Sequence, residues 1–230
     1  MKKKFLSVIH SVLTSVVFLL LATGCKKDDD SLKITDIDGN VYDTVTIGTQ
    51  TWMKENLKTT HYADGSAIPL VNDNAAWINL TTPGYCWYDN DRATYAQTYG
   101  ALYNWHTVNT GKLCPTGWHV PTSAEWETLI TYLGGWIIAG GKLKETGTEH
   151  WQSPNEGATN ESGFTALPGG YHNYYDGVFA GIGYGSNWWS ATEDYTNNAL
   201  NLGMGSHRSD ISKYLDSERN GFSVRCVRDY

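Results

Sequence analysis

The sequence is poor in charge: Asp, Glu, Lys and Arg make up 18% of its 230 residues, while 40% are hydrophobic. That balance excludes a chain held disordered by its own charge and leaves ample material for a core. Cysteine is scarce, four in all, and neither a Cys-x-x-Cys nor a His-Glu-x-x-His spacing marks a zinc site. No unit repeats every ~20 to 50 residues, which argues against solenoids and propellers. There is no Gly-x-Ser-x-Gly elbow, and the run Gly181 to Gly185 lacks the third-glycine spacing and following helix of a phosphate-cradling loop. Acidic pairs such as Glu193 and Asp194 arise by chance among 24 acids and do not by themselves define glycosidase carboxylates. Basic residues number 17, a net charge of -7; without Lys2, Lys3 and Lys4 they fall to 14, a balance of -10. Such a surface offers no basic stripe for phosphates and argues against nucleic acid as a partner. What the chain does have is aromatic mass, with Trp 10 and Tyr 15, and Gly 24. This is the profile of a β-rich extracellular module.

The amino terminus addresses the compartment. Lys2 to Lys4 form a positive start, Phe5 to Ala22 is largely apolar, and Ala22-Thr23-Gly24-Cys25 places small residues before a cysteine. This order describes a secretory signal over residues 1–24, with an amino-terminal transmembrane anchor as the alternative. The run resembles a bacterial lipobox, with Cys25 as the lipidated residue; two or more acyl chains would hold the protein to a membrane. Residues 25–33 then form a charged spacer whose Lys26-Lys27-Asp28-Asp29-Asp30 resembles the export signal of Bacteroidetes surface lipoproteins. An outer-membrane lipoprotein exposed on the cell surface is therefore expected, in preference to a periplasm-facing one.

From Ile34 onward no linker or charge block interrupts the chain, so residues 34–230 read as one domain. Outside the cytoplasm thiols pair, and a Cys114–Cys226 bridge would tie the last strand to the middle of the fold. Cys86 is then the odd thiol, buried and inert, with a Cys86–Cys114 bridge as the alternative. Its neighbours Tyr85, Trp87 and Tyr88 supply no positive charge to activate it. Asp36 to Asn40 reads as a hairpin turn rather than a calcium loop, because the later ligands are missing. Val45 to Ile47 and Thr51 to Met53 read as strands.

A helix is predicted from Thr122. Thr122 and Glu125 have capping-box spacing, Trp126, Leu129, Ile130 and Leu133 form one apolar stripe, and Gly134-Gly135 ends it. Glu125 thereby takes a structural task. A second helix is predicted over Tyr99 to Val108. Late strands are predicted at Trp188 to Thr192, Ala199 to Met204, Ile211 to Leu215 and Phe222 to Val227. Strands in runs with helices inserted point to an α+β fold. Gly169 to Asp176, continuing into Gly181 to Asn187, reads as a long tyrosine-bearing loop, and loops of that length tend to be functional. Tyr with Asn and His combines flat apolar faces with hydrogen-bonding tips. Tyr171, His172, Tyr174, Tyr175 and Trp188 are the expected ligand contacts.

Longer motifs bring a resemblance. The stretch Cys114-Pro-Thr-Gly-Trp118-His-Val-Pro-Thr-Ser-Ala-Glu-Trp126 resembles the signature of the Fibrobacter succinogenes major paralogous domain family. So do Asp38 to Tyr42, Ile47 to Leu57, Tyr99 to Trp105, Trp189 to Thr192 and Gly221 to Val227, in order, over about residues 36–229. Val120 to Trp126 and Gly221 to Cys226 also resemble the formylglycine-generating, sulfatase-modifying proteins. That likeness implies a C-type-lectin-like fold: a small twisted antiparallel sheet, two main helices and long loops. It does not carry activity across, because only Cys226 stands where those enzymes use a cysteine pair. Nor is calcium-dependent sugar binding implied, since Ser153 stands where a Glu or Gln ligand belongs.

The expectation is a lipid-anchored surface binding module for a glycan or protein ligand, without catalysis, metal or cofactor. The alternatives are an enzyme on a sulfatase-modifying-like scaffold and an architectural part of a fimbria-like assembly.

Overall fold

A computed structural model of the chain describes residues 32–195 and 197–230. The predicted signal segment 1–24, the lipidation site Cys25 and nearly all of the 25–33 spacer lie outside the described residues.

The first strands are β1 (Ile34–Thr35), β2 (Val41–Tyr42), β3 (Thr44–Ile47) and β4 (Gln50–Met53). Asp36 shapes the turn between β1 and β2, its carboxylate accepting from the Asp38 and Asn40 amides and the Tyr42 hydroxyl. Then follow α1 (Asn74–Ile78), β5 (Tyr85–Cys86), α2 (Arg92–Tyr99), β6 (Leu102–Tyr103), α3 (Trp105–Val108), β7 (Trp118–His119), α4 (Ser123–Tyr132) and α5 (Trp136–Leu143). The last third is β-structure: β8 (Gly169–His172), β9 (Phe179–Ile182), β10 (Gly185–Tyr195), β11 (Asn198–Gly205), β12 (Ser212–Ser217) and β13 (Val227–Arg228).

The fold is thus mixed, with several largely antiparallel sheets and short helices. A five-stranded sheet runs β12-β11-β10-β8-β9 and a four-stranded one β3-β4-β13-β7; β1-β2 and β5-β6 form small pairs. One pairing, β8 with β10, is parallel. The single small antiparallel sheet of the sequence reading is corrected accordingly.

Helix α4 begins at the expected cap. Thr122 Oγ1 accepts from the Glu125 amide and the Glu125 carboxylate accepts from the Thr122 amide, closing a capping box. The predicted helix over Tyr99 to Val108 is corrected. Tyr99 ends α2, whose N-cap Asp91 accepts from the Thr94 amide. Gly100 then turns the chain at φ +78°, where a Cβ would lie 2.7 Å from the Leu57 carbonyl oxygen. Tyr103 pairs with Phe222, and helix resumes only at Trp105. Pairing with a distant segment overrides the local apolar spacing.

The segment Phe222 to Val227 is not one strand either. Phe222 exchanges backbone hydrogen bonds with Tyr103, Ser223 with Asn187 and Trp189, and the Val224 and Cys226 carbonyls accept from Leu57 and Met53. Val227 then pairs with Trp52 and His119. The carboxy-terminal chain thereby stitches both large sheets and the β5-β6 pair together. Cys226 within it is bonded to Cys114, 112 residues away, a constraint worth about 5 kcal/mol against the unfolded chain in the loop-entropy view.

Trp52, Trp77, Trp105, Trp126, Trp151, Trp188 and Trp189 are all buried, so most of the tryptophan serves the interior, while Trp118 and Trp136 are half-buried. One core holds Tyr103, Trp105, Trp189, Phe222 and Val224. A second packs Trp52, Trp126 and Phe164 under α4 with Trp188 and Leu202 of the large sheet. A third, smaller one surrounds Trp77 and Cys86. Two buried polar side chains gather several partners each, while the Trp52 and Trp126 indole nitrogens have none. The Asn56 amide donates to the Tyr99 carbonyl and the Ser223 hydroxyl, while its oxygen accepts from Trp188 Nε1 at 2.8 Å and Arg225 at 3.0 Å. The Lys144 ammonium, wholly buried, donates to the carbonyls of Glu156, Gly205 and Arg208 at 2.9, 3.0 and 2.9 Å.

Candidate functional site: a glycine-floored, tyrosine-walled cleft

The stretch expected to be a long loop is a hairpin. β8 and β9 pair antiparallel, and the turn between them closes through the Asn173 amide on the Val178 carbonyl. The physical reason is that Gly170, at φ +65°, and Gly181, at φ +83°, let the two strands lie close.

This hairpin borders a cleft of about 470 Å³ on a face of the large sheet, within the size range of small-molecule sites. Its floor follows from strand alternation. Ser186 and Trp188 of β10, with Leu202 and Met204 opposite them, are buried beneath the sheet. Gly185 and Asn187 therefore face the other way, paired with Gly205 and Gly203. Gly185 and Gly205 leave their backbone partly exposed there, whereas Gly203 is buried under the Tyr214 ring. A Cβ on Gly203 would come within 2.8 Å of the Tyr214 ring and 3.0 Å of Asn187 Nδ2. Tyr171, Tyr174, Tyr184 and Tyr214 form the walls.

The polar lining is ordered. Asn187 Nδ2 donates to Asn201 Oδ1 at 2.7 Å, and Asn201 Nδ2 donates to Asp216 Oδ2 at 2.8 Å. Arg208 is paired with both oxygens of Asp210 at 2.6 and 2.8 Å and bonds Ser212 and Tyr214. The Arg219 guanidinium covers the Tyr174 ring at 4.8 Å, and the Tyr174 amide donates to Asn220.

The five expected contacts divide. Tyr171 and Tyr174 line the cleft. Tyr175 is 78% exposed but stands outside the lining. His172 and Trp188 are wholly buried and serve the interior, His172 stacked on Phe179 at 3.9 Å and Trp188 bonded to Asn56. Tyr184 and Asn187 fall within the stretch singled out from the sequence without being named as contacts, whereas Tyr214 and Asp216 escaped it. The alternation Asn201, Gly203, Gly205 along β11 was the signal available for the floor. Nothing local announces that β12 supplies a wall.

Cys86 is the free cysteine and is buried. Its thiol is 3.4 Å from His172 Nδ1, while His172 Nε2 lies 3.1 Å from the Gly177 carbonyl. Nε2 therefore carries the proton, Nδ1 accepts, and the thiol donates. Burial pushes the thiol well above its ordinary range and the imidazole down to about 4. The pair is thus neutral, without a thiolate nucleophile.

A second titratable cluster links β7 to α4: His119 bonds Asp229 through Nδ1 at 2.6 Å and Glu125 through Nε2 at 2.7 Å. Burial opposes the imidazolium, but those two carboxylates outweigh it and raise its pKa. Glu125 thus serves both the helix cap and this clamp. Among the described residues no group of three His, Cys, Asp or Glu is placed to hold a metal ion. No helix among them is long and apolar enough to cross a membrane.

The architecture is that of a disulfide-tied mixed α/β domain presenting a cleft on the face of its largest sheet. Residues 45–228 match the family model described as the Fibrobacter succinogenes major domain, and the chain belongs to that family. No curated protein and no solved structure matches it.

Proposed function

We propose that the protein is a non-catalytic binding module, lipid-anchored through Cys25 and displayed on the outer face of the outer membrane, whose ligand is a glycan or a protein segment. The observation that carries the reading is the cleft, with Gly185 and Gly205 in its floor and Tyr171, Tyr174, Tyr184 and Tyr214 in its walls. Rigid aromatic rings at the rim of a concavity supply contact area at low entropic cost. The neutral, buried state of Cys86 and His172 supports a role without covalent catalysis. The signal-like start, the cysteine at position 25 and the acidic spacer support the anchor. The small helices and the bridge to the last strand are compatible with a C-type-lectin-like arrangement, the fold we propose for the family.

Hydroxyl-radical footprinting of the full chain, with and without bacterial cell wall or host extracellular matrix, tests the module reading. Protection of Tyr184 and Tyr214 by one of these materials is expected; unchanged labelling with all of them overturns it. Mass spectrometry of the native amino terminus tests the anchor. Acylated Cys25 is expected, and an uncleaved, unmodified Met1 overturns it.

A further inference from the structure

We infer that the ligand is a neutral sugar ring lying flat on the glycine floor; this rests on the module reading above. The floor strands have their backbone groups engaged in pairing, β10 with β11 and β11 with β12. An extended peptide gains its affinity from free backbone groups at a sheet edge, and the cleft lies on a sheet face. What the face offers instead is the half-buried backbone of Gly185 and Gly205, beside Gly203, which the Tyr214 ring covers. Beside it stand Tyr184, 53% exposed, and Tyr214, 40% exposed. A saccharide, with apolar C–H faces and a hydroxyl rim, matches this combination of flat surfaces and polar tips.

Charge narrows the class. The charged groups of the lining are Arg208 and Asp216, one of each sign, and Arg208 is already paired with Asp210. A uronate or sulfated sugar would find no free cation in the lining and would meet Asp216. An amine would find Asp216 already accepting from Asn201 Nδ2 and Arg208 close by. The relay from Asn187 through Asn201 to Asp216 fixes amide and carboxylate positions at the floor, the mixed donors and acceptors that hydroxyl groups require.

Gly205 separates this from a merely structural floor. A Cβ there meets Arg208 Cγ at 3.5 Å, ordinary van der Waals contact, so Gly205→Ala keeps the fold while raising the floor by one methyl group. The full chain and this variant are applied to an array of neutral oligosaccharides, uronate-bearing and sulfated oligosaccharides, and peptides. Their melting temperatures are compared alongside. Binding to neutral oligosaccharides is expected, weakened roughly tenfold or more by Gly205→Ala, the scale of one methyl group in a fitted pocket, and likewise by Asn187→Ala. Equal sugar binding by parent and Gly205→Ala overturns the inference. Binding confined to acidic sugars or peptides also overturns it and leaves the module reading standing. Silence toward every probe by the folded chain brings down both.

Discussion

Cys86 Sγ and His172 Nδ1 meet at 3.4 Å in a pocket closed by Trp77 and Phe179, whose rings lie 4.6 and 3.9 Å from the imidazole. A cysteine beside a histidine suggests a nucleophile and its base, but water is excluded from both sides of this pair. Desolvation favours the uncharged form of each group.

That relationship makes stability depend on pH. Burial holds His172 at about 4, below its ordinary 6.5. Between those values the unfolded chain binds the proton that the folded chain refuses, so stability is lost as pH falls from 6.5 toward 4. The full effect is about 3 kcal/mol. Urea unfolding at pH 7, 5.5 and 4 should show the decline, and His172→Phe should lessen it. A parent profile as flat as the variant's would disprove the assignment. Cys86 should also resist thiol reagents at pH 8 until denaturant is added.

Lys144 should be intolerant of replacement. Its ammonium gathers three backbone carbonyls from two separate stretches of chain, Glu156 on one and Gly205 and Arg208 on the other. Lys144→Met removes the donor and leaves the acceptors buried, at a cost of about 3–5 kcal/mol. Lys144→Arg should also destabilise, because a planar fork does not match three converging oxygens. Chemical denaturation of both variants measures this; a loss below about 1 kcal/mol for Met would contradict the proposed role.

Helix α5 packs through its glycines. A Cβ on Gly140 would lie 2.2 Å from the Asp210 carbonyl oxygen, and one on Gly141 would lie 2.2 Å from that of Gly157. Both neighbours are backbone and cannot swing aside, so Gly140→Ala and Gly141→Ala should each destabilise by about 1–3 kcal/mol or more. In an unpacked helix Ala would instead be the better residue, by about 1 kcal/mol. Thermal melts that show either variant matching or exceeding the parent would refute the close approach.

Local chemistry was legible wherever a few neighbouring residues decide the outcome. Thr122 and Glu125 close their box within one turn, and the Asp36 turn is built from its own neighbours. The bridge between Cys114 and Cys226 was one of two pairings the sequence left open, and the fold decides between them. Other features depend on distant partners. Tyr99 to Val108 has helical spacing, yet Phe222 recruits Tyr103 into a ladder. Trp188 looked like a ring for a ligand, yet Asn56 waits for its indole 132 residues upstream.

The cleft shows the same division. Composition alone determined that this chain has tyrosine and glycine in abundance, little charge, and a cysteine to spare. Whether a given ring faces solvent or core depends on which side of β10 and β11 it meets, and pleating reverses that side at every residue. Register therefore decided that His172 and Trp188 go inward while Gly185 and Gly205 turn to the cleft face, because backbone pairing with strands far along the chain, and not the local sequence, sets the register.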